Sequence, residues 1–418
     1  MTAPLTITDA RLDGRPVAVR CVDGTIAAVG PDVVAADGDD VLDAGGMLVH
    51  PGLVNAHTHA AMTLFRGYGD DLPLMEWLQT KIWPAERRLE PDDVYWGTRL
   101  AAIEMLRSGT THLVDMYWHG VPVARAANDA GIRATVASVF FDGLDPERGR
   151  AQRGEVLDVL DELAEQGPLI RPSVGPHAVY TVSGESLGWL AEVSADRDVP
   201  FHIHLSETRG EVDDCQAANG ARPPAWLDQL GALSARTVAA HGCWLDPHEV
   251  ELLAERGVTL AMCPVSNMKL ATGRVFPYEQ AETAGMALGL GTDGASSNNS
   301  LDLLQDVKVL ALLHKHAEED PATLPAHDAL AIAAGERSAL LGGRPIESGA
   351  PADLILVRTA DPELTPSEPD AALVYAATGA QVDSTVVAGR VAMRHRHIDG
   401  VDEVLSEVRT RAARLRTG

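Results

Sequence analysis

Lysine is scarce in this chain. Of its 34 basic residues only Lys81, Lys269, Lys308 and Lys315 are lysines, and the other 30 are arginines. Cysteine is equally thin: Cys21, Cys215, Cys243 and Cys263 are scattered, with no CxxC pair. That excludes a disulfide framework and predicts reduced, mostly buried thiols in a cytoplasmic protein. Positive charge is short as well. The 60 acidic residues leave a net charge of -26, which repels nucleic acid and anionic membrane, so neither is expected as a partner. The same charge serves solubility. No apolar run approaches the ~20 residues of a membrane span. The opening stretch, MTAPLTITDA, has no basic region followed by an apolar one, so no export signal is expected. Short-period repeats and low-complexity segments are missing too.

What the chain has is length and apolar content, 418 residues at 45% hydrophobic. This suits a barrel of about 250 residues or more with a smaller accessory domain. Residues 1–48 read as β-rich. PLTITDARL, PVAVRCV and TIAAVG are runs of β-branched residues, and Asp23-Gly24 between the last two signals a hairpin. At the other end, 353–357 (DLILV) and 384–393 (STVVAGRVAM) are again short strands. Neither set is stable alone, which predicts a small β-sandwich composed of both chain ends. Between the ends, apolar segments at 51–56, 111–116, 132–140, 170–175, 200–205, 237–241, 258–262 and 286–292 alternate with amphipathic helices such as 93–109 and 154–167. Eight strands separated by helices over roughly 300 residues predict an α/β protein with a (β/α)8 barrel, its chemistry placed where strands end. The tail from Val401 carries acids first and bases last, as suits a terminal helix.

Those strand ends collect a particular set of side chains. The first ends in His57 and His59, two apart and so on one face. FHIHLSE carries His202 and His204, with Glu207 three residues on; TVAAHGC ends in His241; ALGLGTDG ends in Asp293. Three imidazoles and a carboxylate suit a borderline cation such as zinc with one position left for water. Zinc would lower that water's pKa to about 7, and Glu207 would then carry protons to the leaving group. Each residue also has a plainer reading. A lone histidine is more often a hydrogen-bonded core residue, and His202 is the prime case, since one of the HIH pair suffices. Asp293 in TDG would serve as a turn or cap. What favours the metal is the joint pattern, one candidate at the end of each of several strands.

The chain resembles the amidohydrolase superfamily, in the branch of aminohydrolases that contains 5'-methylthioadenosine/S-adenosylhomocysteine deaminases and triazine and guanine hydrolases. The matching stretches are PGLVNAHTHAAMTLFRGYGDDLPLMEWL (51–78), IWPAE (82–86), GPHAVYT (175–181), HLSET (204–208), AAHGCWL (239–245), PVSNMKL (264–270) and GTDGASSNNSLD (291–302). The resemblance implies that His57, His59, His204 and Asp293 bind one metal, zinc or else iron or manganese. It implies Glu207 as proton shuttle, His241 as hydrogen-bond partner of the attacking water or developing oxyanion, and Asp293 as acceptor of that water's proton. Glu86 would hold the ribose hydroxyls and His177 a ring nitrogen. Without the resemblance, Glu86 reads equally well as an exposed helical residue. The loop Met62 to Trp77 would wall the nucleoside's 5' side. The implied division is a barrel over 51–345, with 1–50 and 346–418 forming the sandwich and terminal helix. Superfamily members with two metals often bridge them by a carbamylated lysine on a middle strand. No lysine lies between Lys81 and Lys269, so one metal is expected.

Three departures stand out. HAVYTVS from His177 lacks the family's proline, and MCPVSN puts Cys263 where a polar residue is common. Members that grip the amino-acid tail of S-adenosylhomocysteine use arginines near the mouth. Here VFFDGLDPERGR has none in its strand, leaving Arg148, Arg150 and Arg153 beyond it as candidates for a substrate carboxylate. The expected function is deamination of an adenine nucleoside, S-adenosylhomocysteine, 5'-methylthioadenosine, 5'-deoxyadenosine or adenosine, by a cytoplasmic homo-oligomer. The alternatives are a deaminase or hydrolase of guanine, a pterin or a triazine, and a non-catalytic barrel that binds a partner.

Overall fold

The structure is a computed structural model and describes residues 3–416. Its first five strands are β1 (Leu5–Leu12), β2 (Arg15–Val22), β3 (Thr25–Gly30), β4 (Asp40–Asp43) and β5 (Leu48–Pro51). The β2–β3 turn is the expected Asp23-Gly24, with φ of 47° and 80°. Two left-handed residues are what a tight hairpin needs to follow the strand twist, and glycine takes the second without steric cost. Eight strands then form a closed parallel barrel: β6 (Leu53–Thr58), β7 (Thr110–Asp115), β8 (Arg133–Phe140), β9 (Ile170–Pro176), β10 (Phe201–Leu205), β11 (Thr237–His241), β12 (Thr259–Met262) and β13 (Ala287–Leu290). This is a (β/α)8 barrel, with helices in the connections. β6, β10 and β11 are buried at every residue. A strand covered on both faces shows no polar alternation, which is why these segments read as continuous apolar runs.

The chain ends meet in one sheet. β14 (Leu354–Val357), β15 (Val382–Val387) and β16 (Arg390–Met393) extend β5 and β1–β3 in the order β16-β15-β14-β5-β1-β2-β3, with β4 beside β1. So the composite unit expected as a sandwich is one hydrogen-bonded path of strands. It has its own apolar cluster, including Leu5, Ile7, Val19, Ile26, Leu42, Leu354 and Leu356. β5 pairs with β14 through Pro51 opposite Leu354, and β6 begins two residues later. The sheet therefore anchors the strand that carries His57.

The barrel closes at β13–β6, where few backbone pairs remain and side chains take over. Asn55 bonds Thr292 twice, through Nδ2 to Oγ1 at 2.7 Å and from the Thr292 amide to Oδ1 at 3.0 Å. The Asp293 amide donates to the His57 carbonyl at 3.0 Å. A Cβ at Gly291 would lie 2.9 Å from that carbonyl, so only glycine lets the strands approach this closely.

The terminal helix, Val401–Arg416, lies across the helix Pro91–Arg107. Asp93 joins them. It accepts the Glu90 amide at 2.8 Å in the capping box of its own helix, and Arg411 at 3.2 Å and Arg414 from the terminal one. Its side chain is wholly buried. Burial raises its carboxyl pKa, but the bonds from Arg414, Glu90 and Arg411 outweigh that and hold it below the ordinary value. Two residues beyond Arg414, Arg416 donates to the carbonyls of Leu64 and Arg66 at 2.9 and 2.8 Å. Asp93→Ala removes the cap and both ion pairs, and should cost about 2 kcal/mol of stability, read by urea titration at neutral pH. A lowered folded-state pKa stabilises above the unfolded value and is lost as pH falls through the folded one. The gap between wild type and variant should therefore close in acid.

Candidate active site

A barrel brings its strand ends to one mouth, and His57, His59, His204, His241 and Asp293 meet there. Residues two apart on a strand share a face, so β10 aims His202 and His204 inward, while β6 carries His57 and ends one residue before His59. The Nε2 atoms of His57 and His59 lie 3.5 and 3.2 Å from Asp293 Oδ1, and Nε2 of His204 lies 3.3 Å from that of His59. Candidate donor atoms fall within 4.8 Å of one another in two overlapping groups, His57, His59 and Asp293, and His57, His204 and His241.

The outer nitrogens show what the inner ones are for. Nδ1 of His59 lies 2.5 Å from the Met116 carbonyl, and that of His204 lies 2.7 Å from the His177 carbonyl. A carbonyl only accepts, so each Nδ1 carries the proton and each Nε2 turns a lone pair inward. His241 Nδ1 is likewise 2.9 Å from Asn267 Oδ1. His57 Nε2 is buried with no hydrogen-bond partner among the described residues. Converging lone pairs with an orphaned buried nitrogen among them fit a divalent cation, and the nitrogen-rich set with one carboxylate suits zinc. Burial pushes His57 down to about 4 and His204 well below the ordinary range. His59, despite burial, is raised to about 9 by Asp293. The carboxylate demands positive charge among these nitrogens.

Asp293 is fixed from behind. Its Oδ2 accepts hydroxyls from Ser266 at 2.6 Å and Ser297 at 2.8 Å, leaving Oδ1 toward the imidazoles. Asp293, His241 and Ser206 have φ of 60°, 75° and 49°. Left-handed backbone in residues with a Cβ persists only where surroundings impose it, and all three lie just past or at strand ends. Asp293 is thus both the turn residue that TDG suggests and a candidate ligand.

Beside this cluster lies a cavity of about 90 Å³. Glu207 lines it, buried, 4.0 Å from His241 Nε2, with its pKa raised by burial. Glu86 lines it too, so the exposed alternative for that residue falls away. Its Oε1 accepts the Tyr117 hydroxyl at 2.7 Å, and burial raises its pKa against that bond. His177 reaches the same space, with Nδ1 2.9 Å from Thr181 Oγ1; burial and the neighbouring imidazoles push it down to about 3, so it is neutral. Trp77 is buried in the wall with Leu74, Leu78, Ile82 and Trp83. Arg148 is exposed and does not line the cavity, while Arg150 and Arg153 pair with Glu185 at 2.5 and 2.9 Å. Nor do the sequence departures face it. Cys263 is fully buried behind the short helix that it begins, and Val179 is in the barrel core.

Sequence reading set His202 aside as core. It is buried, but its Nε2 lies 2.9 Å from His57 Nδ1, so it orients a candidate ligand from one layer below. Asn267 in PVSNMKL was likewise passed over. Outer partners of this kind usually contribute 10–100-fold to metal affinity. His202→Phe should weaken metal binding by about that factor, measured by competition with a chelator, while the helical circular dichroism stays unchanged.

The amidohydrolase family model matches residues 48–392. Over 379 residues the chain is 49% identical to a 5'-deoxyadenosine deaminase of Methanoregula boonei, covering 90% of this chain and 86% of that one. It is 46% identical over 411 residues to a 5-methylthioadenosine/S-adenosylhomocysteine deaminase of Syntrophobacter fumaroxidans, covering 95% and 94%. Among solved structures, an adenosine deaminase from Xanthomonas campestris with bound zinc superposes with a TM-score of 0.91 at 34% identity, covering 100% of this chain and 99% of that one.

Proposed function

The chain belongs to the amidohydrolase family, as a hydrolase acting on a C–N bond, and on that premise we propose that it deaminates an adenine nucleoside to the inosine derivative and ammonia. The observation that carries this reading is the cavity itself. Glu207 and His241 line it beside the histidine cluster, Glu86 lines it as well, and Leu74, Trp77, Leu78, Ile82 and Trp83 add apolar lining. A zinc ion held by His57, His59, His204 and Asp293 would supply Lewis acidity and water activation near neutral pH.

The chain's own groups account for the remaining steps. Asp293 Oδ1, freed by the two serines on Oδ2, accepts a proton from the attacking water. His241 Nε2 faces the same space and accepts a hydrogen bond from that water. Glu207 protonates the ring nitrogen next to the carbon under attack; burial raises its pKa and so favours the protonated form this step needs. The new C–O bond forms at C6, the C–N bond breaks, the proton held by Asp293 leaves with ammonia, and the remaining hydroxyl proton returns to Glu207 as C6 becomes a carbonyl. His177 hydrogen-bonds the base through Nε2, and Glu86 accepts the ribose hydroxyls. Fixed dipoles in a closed site supply most of the acceleration.

The cavity is smaller than the roughly 300–1,000 Å³ of a typical ligand site. Its cover comes from the segment Leu74–Glu86. The cover sets the 5' preference. Leu74, Trp77, Leu78, Ile82 and Trp83 offer no charge, and among the described residues no arginine or lysine lines the cavity. A 5'-deoxy or 5'-methylthio group is matched there, whereas an amino-acid tail would bring two unpaired charges.

Ammonia release from four nucleosides tests this. 5'-Deoxyadenosine and 5'-methylthioadenosine should exceed S-adenosylhomocysteine in kcat/KM by about tenfold or more. Silence on all four by metal-loaded protein would sink the nucleoside reading. Glu86→Ala should raise KM for the nucleosides by about tenfold and leave any turnover of free bases unchanged; an equal loss on free bases points to another heterocycle.

A further inference from the structure

Behind Glu207 lies a second buried carboxylate, Glu211, and the steps above do not use it. Its side chain is 5% exposed. One oxygen accepts the backbone amide of Ser206 at 2.7 Å and the other that of Glu207 at 2.8 Å. Among the described residues it forms no ion pair. We propose that Glu211 is a positioning residue: its two oxygens clamp the turn after β10 and so hold Glu207 in place for proton transfer. The inference rests on the deaminase reading of the site.

The plain alternative is helix capping. Glu211 is the third residue of the helix Arg209–Asn219, and Thr208 is its N-cap, accepting the Glu211 amide at 3.2 Å. In an ordinary capping box the acid at this position returns to the N-cap amide. The Thr208 amide does act on Glu211, but the carboxyl reaches further as well, to the two amides before it, one of which belongs to Glu207. Those amides sit in a turn that would not hold itself, because Ser206 has φ of 49°. The carbonyls of the same turn are also taken. Leu205 O accepts the Gly242 amide at 3.0 Å and Ser206 O the Trp244 amide at 2.9 Å, both from the loop after His241. The turn bearing Glu207 is thus bolted to the one bearing His241 by its carbonyls, and to Glu211 by its amides.

Only a carboxylate fits this place. Two amide donors aim at two separate oxygens, and glutamine would oppose its NH2 to one of them. Aspartate is one methylene short. Burial pushes the Glu211 carboxyl up to about 8, against the backbone amides of Glu207 and Ser206, which pull it down.

Glu211→Gln and Thr208→Ala, each metal-loaded, separate the two roles. For Glu211→Gln, kcat with 5'-deoxyadenosine should fall about tenfold or more, because a small displacement of the reacting group suffices. KM should stay within about twofold, with metal content unchanged. Amide exchange of the peptide spanning Leu205–Thr208 should accelerate. Thr208→Ala should lower Tm and keep kcat. Two results overturn the proposal: Glu211→Gln with the kcat of wild type, or unchanged exchange in the Leu205–Thr208 peptide. A parallel loss of kcat and folded fraction in both variants also overturns it, leaving capping. Wild-type protein silent on every nucleoside removes the deaminase reading and this inference with it, whereas active wild type with unaffected Glu211→Gln removes the inference alone.

Discussion

Four imidazole nitrogens and a carboxylate oxygen face one point inside a closed barrel, and the rest of the site answers to that constraint. Lone pairs 3.2 to 3.5 Å apart repel one another, and in a dry interior the repulsion is poorly screened. Nothing in the rings themselves forces the inward direction. It is imposed from outside, by the Met116 and His177 carbonyls, by Asn267 and by His202, each occupying an Nδ1. The serines do the same for Asp293. The cluster is held open by its surroundings, which is how a binding site is stored in a fold: the cost of bringing like groups together is met on folding, and the cation meets a finished shape.

That view gives the chain ends a place in function. The sheet anchors β5, and β5 leads within two residues into β6 and its histidines. At the other extreme, Arg416 holds the carbonyls of Leu64 and Arg66, in the turn that follows His59 and leads into the cavity's cover. Asp93 docks the helix that delivers Arg416 there. A loss of stability at Asp93 and a loosening of the cover are therefore linked through one helix, although Asp93 is remote from the histidines in sequence.

All eight barrel strands were legible in the sequence to within a few residues, because fully buried parallel strands stand out as short apolar runs between helices. The histidines and Asp293 were legible for the same reason: a barrel turns strand ends into neighbours, so reading each end in order reads the mouth. What stayed hidden acts across the barrel. His202 meets His57 over 145 positions, and an alternating pattern shows that a residue points inward without showing which layer it supports. Glu211 was hidden differently. TRGE has the form of a capping box, and the pattern is indifferent to which amides the acid finally reaches. The one-sheet path of the chain ends was also unreadable, since strand pattern gives faces and leaves pairing partners open.

The arginines after β8 show how pairing decides a question that proximity in sequence leaves open. Arg148, Arg150 and Arg153 follow the strand closely enough to suggest a grip on a substrate carboxylate. Arg150 and Arg153 instead share Glu185, and Arg153 also lies over the Trp189 ring, with 4.9 Å from guanidinium to centroid. Their charge is spent on the outer face of the barrel. Recruiting either to the cavity would break that arrangement, leave Glu185 with one partner fewer and bury a guanidinium among tryptophans. A homocysteine tail would then need to supply more than the rearrangement loses. On the proposed reading, a methyl or methylthio group would need no such change, since Leu74, Trp77, Leu78, Ile82 and Trp83 line the cavity.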